Sequence, residues 1–221
     1  VNYLSHYYID RHNPDPEFVL GLMMPDLIRG FDPEKKLKYV NIKKVEVSKD
    51  FMDVHSGVMK HHLVDAYFHN SDYFKNNCKL IEKVIKRYPI AAANRYQHFL
   101  SHILLEMLID RYLIIDHPAI VNEFYSIIEK ADNEKINEYF EFIGLSEISK
   151  PFTSFLRKFV ELRFLANYTD NNLFIKALIG VYKKVGLSLN LNHNELNNIL
   201  LDLKTELMPT YKSIFLKTTF N

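Results

Sequence analysis

Apolar positions recur along most of the chain at intervals of three and four, the period of a helix face rather than of a strand. The pattern predicts a short opening helix over 2–12, with Tyr3, Leu4, Tyr7 and Tyr8 on its apolar side. Asn13-Pro14-Asp15-Pro16 breaks it. Asp15 is placed to cap the next helix, with Pro16 at its first position. The apolar run over 18–28 contains Pro25, which predicts a kink or break near Met24. Residues 31–48 are basic and irregular and read as a loop, with short extended pieces at 39–42 and 45–47.

Further on, the spacing predicts a long helix over 49–68 entered through Ser48, and another that starts at Ser71 and ends before Pro89. The most apolar segment, 94–115, stops at Asp116-His117-Pro118. Helices over 119–131, 134–143, 147–167, 171–186 and 193–207 complete the series, the last resuming after Pro209. No repeat period emerges. The expected fold is all-α, a multi-helix bundle forming one domain over 1–221.

Composition narrows the function classes. Apolar residues make up 48% and charged residues 25% of 221 positions, which excludes a disordered chain. A formal net charge of +1 gives no global field for nucleic acid, so no stable nucleic-acid partner is expected. No apolar run is long enough to span a membrane. Cys78 stands alone, and no basic stretch followed by an apolar run marks a signal peptide, so a reducing, cytoplasmic setting is the expectation. Cys78 reads as inert. Nine of the ten histidines lie at or before His117. The chain thus divides into a histidine-rich part, 1–117, expected to carry the chemistry, and a helical supporting part, 118–221.

Within the histidine-rich part, His61, Asp65 and His69 are spaced by four and share one helix face. His98, His102, Glu106 and Asp110 form a second ladder, flanked by leucines and isoleucines. Carboxylates set among apolar residues need a partner or a metal. Two helices offering imidazoles and carboxylates at this spacing can converge on one or two divalent cations, of which Mn, Zn and Fe suit the donors. His6 lies among the tyrosines of the first helix, and Asp26 follows Pro25 in an apolar stretch with Arg29 three residues on. His55 and His62 read as surface or supporting residues. The competing reading is a structural metal site or polar seam in a non-catalytic helical protein. No phosphate-binding glycine loop, dinucleotide fingerprint or Gly-x-Ser-x-Gly elbow occurs.

The segments Asn2-Tyr3-Leu4-Ser5-His6 and Leu20-Gly21-Leu22-Met23-Met24-Pro25-Asp26-Leu27-Ile28-Arg29-Gly30, with Gly57-Val58-Met59-Lys60-His61-His62-Leu63-Val64-Asp65-Ala66-Tyr67, resemble the acyl carrier protein phosphodiesterase family. That family is similar to the HD-type metal phosphohydrolases. The resemblance implies an all-helical, metal-dependent hydrolase that cleaves the phosphodiester joining phosphopantetheine to a carrier-protein serine. It implies His6, Asp26, His61 and Asp65 as site residues, with Arg29 near the phosphate. The chain departs from the family pattern at Phe68-His69-Asn70-Ser71 and at Ser101-His102. The order His6, Asp26, His61, Asp65, His69, His102, Glu106 also resembles the ligand order of zinc-dependent phospholipase C and related nucleases. Both resemblances imply metal-assisted phosphoester hydrolysis. In such a reaction Asp65 or Asp26 is expected to orient a hydroxide, Arg29 to pair with a phosphate oxygen, and Tyr67 or His62 to protonate the leaving group. Acyl carrier protein is then the expected partner, and Lys35, Lys36, Lys38, Lys43 and Lys44, or a second set of Lys150, Arg157, Lys158 and Arg163, would meet its acidic surface.

Overall fold

The computed structural model describes residues 2–32, 34–43, 46–88, 97–184, 186–187 and 193–216. Among these, every regular element is a helix: α1 (Tyr3–Asp10), α2 (Pro16–Phe31), α3 (Tyr39–Ile42), α4 (Met52–Asn70), α5 (Asp72–Ile85), α6 (Gln97–Asp116), α7 (Ile120–Ile128), α8 (Asn133–Phe142), α9 (Ser146–Leu162), α10 (Asn171–Lys184), α11 (His193–Leu207) and α12 (Ser213–Leu216), with single 3-10 turns between some of them. The all-α expectation holds. The chain divides into two compact units, and each unit draws on both sides of position 118.

One unit comprises 3–65 and 119–165. Its α2 starts where the sequence places it, the Phe18 N–H donating to the Asp15 carboxylate (2.7 Å) with Pro16 at the first position. The break expected near Met24 does not occur. Pro25 lies inside a continuous helix whose Leu20, Leu22, Met23, Met24, Leu27 and Ile28 are all fully buried. Each such side chain contributes about 1.5–3 kcal/mol on burial, so together they outweigh the roughly 3 kcal/mol that an interior proline costs. At the crossing with α4 the backbones nearly touch. A Cβ on Gly21 would run into the Val54 carbonyl, and one on Gly57 into the Phe18 carbonyl. Aromatic rings fill the rest of this core, Tyr7 against Phe124 and Phe140 against Phe152 among them.

Three other boundaries differ from the sequence reading. Residues 39–42 form a helical turn, not an extended piece, and Val45 lies outside the described residues. Ser48 makes no side-chain cap; a 3-10 turn, Lys49–Phe51, leads into α4 instead. The helix expected to reach 167 ends at Leu162, because Arg163 adopts a left-handed backbone (φ 44°) and its guanidinium bonds Asn122 Oδ1 (3.1 Å) over the Tyr125 ring.

The other unit comprises 1–2, 66–118 and 166–221. In it α5 packs on α6 and on α11, and α10 packs on α11. Ser71 caps α5 by accepting from the Phe74 N–H (3.1 Å), as its position in the sequence implies. The expected start of α6 at Asn94 lies outside the described residues. At its far end, the Tyr211 hydroxyl donates to Asp116 Oδ2 (2.6 Å). No helix among the described residues is long and apolar enough to cross a membrane. The helix α4 enters both units, the first to Asp65 and the second from Ala66.

Candidate metal centre

In the unit built on α2, helices α1, α2 and α4 bring His6, Asp26, His61 and Asp65 together. His6 and His61 stack face to face, ring centroids 4.1 Å apart and 20° from parallel. His6 Nε2 stands 3.3 Å from Asp65 Oδ1, and His61 Nε2 stands 3.5 Å from Asp65 Oδ2 and 4.0 Å from Asp26 Oδ1. One donor atom from each of His6, His61 and Asp65 falls within 4.8 Å of the others. The imidazoles are buried, at 0% and 3% side-chain exposure, whereas Asp65 and Asp26 keep 27% and 29%. Two rings thus form a dry wall, and two carboxylates form its solvent side.

The protonation states follow from contacts. His61 Nδ1 lies 2.8 Å from the Leu22 carbonyl, an acceptor only, so Nδ1 carries the proton and Nε2 presents a lone pair to the two carboxylates. Burial pushes both imidazoles down, to about 4 for His6 and about 4 for His61, so both are neutral near pH 7. Burial pushes the Asp65 carboxyl up, but the His6 and His61 imidazoles against it outweigh that and hold it below the usual carboxylate range. Neither nitrogen of His6 makes a hydrogen bond; Nε2 approaches Asp65 off the hydrogen-bond line. A buried imidazole without a hydrogen bond, facing lone pairs and negative charge, fits a divalent cation.

His69, His102 and Glu106 form a separate group in the unit built on α6. His69 Nε2 lies 3.0 Å from His102 Nε2 and 3.0 Å from Glu106 Oε1, and His102 Nε2 lies 2.9 Å from the same oxygen. Burial raises the Glu106 carboxyl, but the contacts with His102 and His69 overcome it and hold it below the usual range.

The second predicted ladder does not act as one set. His98, at 78% exposure, pairs with Glu82 Oε1 at 3.3 Å, and Asp110 is fully buried. Arg29 lies one turn beyond Asp26 on α2 and is exposed. His62 touches His61 edge-on (5.5 Å). His55 is buried rather than on the surface, its Nδ1 lying 3.3 Å from the Tyr139 hydroxyl. Three contributors escaped the sequence reading. The Leu22 carbonyl carries no sequence signal, but Gly21 and Gly57, which let α2 approach α4, stand out as glycines inside helical runs.

No curated protein and no solved structure matches the chain. A family model described as acyl carrier protein phosphodiesterase matches residues 1–217 of the 221, which includes all seven donor residues of both groups. On that match the chain belongs to the acyl carrier protein phosphodiesterase family.

Proposed function

We propose that the chain is a divalent-metal-dependent phosphodiesterase that releases phosphopantetheine from a serine of acyl carrier protein, acting at His6, Asp26, His61 and Asp65. The observation that carries this reading is the buried His6 imidazole, which lacks a hydrogen bond and faces Asp65 beside the stacked, tautomer-fixed His61. The family match supports the bond type and the partner.

A divalent cation held by these four residues supplies Lewis acidity and brings a water toward a pKa of about 7. The chain's own groups do the positioning. His61 is locked by its Nδ1–H bond to Leu22, so its Nε2 lone pair is presented without loss of side-chain freedom at each turnover. Asp65 and Asp26, on the solvent side, hold and orient the attacking water through their carboxylate oxygens. His6 and the apolar side chains of α2 keep bulk water from the rear of the site, where Leu22 and Met23 are fully buried. Arg29, exposed on the same helix as Asp26, pairs through its planar fork with a non-bridging phosphate oxygen.

The test uses purified protein, holo acyl carrier protein as substrate and mass spectrometry of the carrier. Conversion to the apo form on addition of Mn²⁺ or Zn²⁺, stopped by chelator and restored by metal, is expected. Turnover of bis-p-nitrophenyl phosphate with no change in the carrier would keep the hydrolase and overturn the substrate. Undiminished turnover in chelator would overturn the metal.

A further inference from the structure

We propose that His69, His102 and Glu106 form a second divalent transition-metal site, independent of the first group and placed in the other unit. It is independent of the reaction proposed above.

The three donor atoms form a nearly equilateral triangle with sides of 2.9–3.0 Å. Hydrogen bonding cannot satisfy such a triangle. An imidazole nitrogen carries either a proton or a lone pair, never both, so with Glu106 ionised the three mutual contacts cannot all be hydrogen bonds. If both nitrogens donate to Glu106 Oε1, two parallel-signed N–H dipoles converge side by side with their nitrogens only 3.0 Å apart. If His69 donates to His102, the His102 nitrogen faces Glu106 lone pair to lone pair, and the converse case leaves His69 so placed. Every arrangement leaves one side repulsive. A cation seated on three lone pairs removes the conflict on all sides at once.

The separation also matches a coordination shell. Adjacent corners of an octahedron with bonds of about 2.1 Å lie about 3.0 Å apart, so the triangle is one face of such a shell. Two imidazoles and one carboxylate on a single face select first-row transition ions over Mg²⁺ or Ca²⁺, which favour oxygen donors. The surroundings are those of a built site. His102 and Glu106 are one turn apart on α6, His69 comes from the end of α4, and the buried Phe74 ring stands edge-on to both imidazoles at 5.0 Å. One side is therefore apolar. The other is open, since His69 and His102 keep 32% and 30% exposure, enough for an ion to enter. Bound there, the ion ties α4 to α6 and keeps coordination positions facing water.

The experiment measures bound metal per chain after equilibrium dialysis against Zn²⁺, and separately Co²⁺ with its visible absorption. Four proteins are compared: wild type, His61→Gln, Glu106→Gln and the double variant, with circular dichroism checking the fold of each. The His61→Gln protein is expected to keep one ion, which Glu106→Gln weakens by more than about 100-fold in the double variant. Loss of binding in Glu106→Gln but not in His61→Gln would leave this site standing and sink the first. A His61→Gln protein that binds no ion, or a double variant that still binds one tightly, would overturn the second site. Diethylpyrocarbonate mapping of wild type requires no variant to fold: Zn²⁺ is expected to protect His69 and His102 together at least about 10-fold, and unchanged modification of either would overturn the site.

Discussion

Gly57 of α4 lies so close to Gly21 of α2 that a Cβ on Gly57 would stand 2.9 Å from the Gly21 Cα and 2.8 Å from the Leu22 nitrogen. The next carbonyl along, that of Leu22, accepts the proton that fixes His61, four residues after Gly57 on α4. The glycine crossing and the imidazole tautomer are therefore one device. Gly57→Ala removes a helix-weakening glycine, worth roughly 1 kcal/mol in favour. It also drives a methyl group into rigid backbone, at about 1–3 kcal/mol or more against. The net expectation is a lower urea midpoint together with weaker metal retention. A variant as stable as wild type that keeps its metal would contradict it.

Acid should destabilise the metal-free protein in a defined window. His6 and His61 titrate near 6.5 when unfolded and near 4 when folded, because burial penalises their charged forms. Between these values the unfolded chain binds more protons, so stability falls as pH falls. The contribution is complete above pH 6.5 and is lost on the way down to about pH 4. Its size is on the order of 3 kcal/mol per ring. Urea midpoints across this range check it, and His6→Gln should flatten the profile.

Asp65 and Asp26 differ in what their loss should do. Asp65 approaches both imidazoles, at 3.3 and 3.5 Å, whereas Asp26 reaches only to 4.0 Å of His61. Asp65→Asn is expected to abolish metal retention at this group and reduce turnover by at least about 100-fold. Asp26→Asn should retain more metal while still losing turnover, a split read by metal analysis beside kcat. Equal metal loss in both variants would argue against separate roles.

Local chemistry made much of this fold legible, and tertiary packing hid the rest. Asp15 with Pro16, and Ser71, each sit where the sequence starts a helix, and each accepts from a backbone N–H there. The signal at Pro25 was misleading because it is a local penalty, and the buried residues around it outweigh that penalty only once α2 has neighbours. The end of α9 was hidden because Arg163 continues a helical pattern; its left-handed backbone accompanies contacts to Asn122 and Tyr125, remote in sequence. The same limit governs the donors. Spacing by four puts His61, Asp65 and His69 on one face of α4, but it cannot say that His61 and Asp65 meet His6 while His69 meets α6.

Cys78 should be silent to thiol reagents in the folded protein. Its side chain is buried on α5, and burial pushes its thiol up to about 12. A thiol nucleophile reacts as the thiolate, so both access and ionisation oppose labelling. Iodoacetamide at pH 8, read by mass spectrometry, is expected to modify Cys78 only in denaturant, and rapid native labelling would contradict the packing of α5 on α6.

An acidic carrier protein would approach the site by way of the basic residues nearest to it. Lys36 and Lys38 are exposed in the segment that follows α2, the helix carrying Asp26 and Arg29. Lys35 is engaged with Glu147 of α9 at 2.6 Å, an exposed pair of small energetic value, while Lys36 and Lys38 beside it face solvent. Charges placed this way act on encounter more than on chemistry, because an exposed field speeds association and is screened over about 10 Å at 0.1 M salt. Lys36→Glu with Lys38→Glu is therefore expected to lower kcat/KM for holo acyl carrier protein by roughly 10-fold or more at low salt, and to leave bis-p-nitrophenyl phosphate turnover unchanged. Raised salt should shrink the difference between variant and wild type. Equal losses on both substrates would place these lysines in the reaction itself, and no loss on either would remove them from docking.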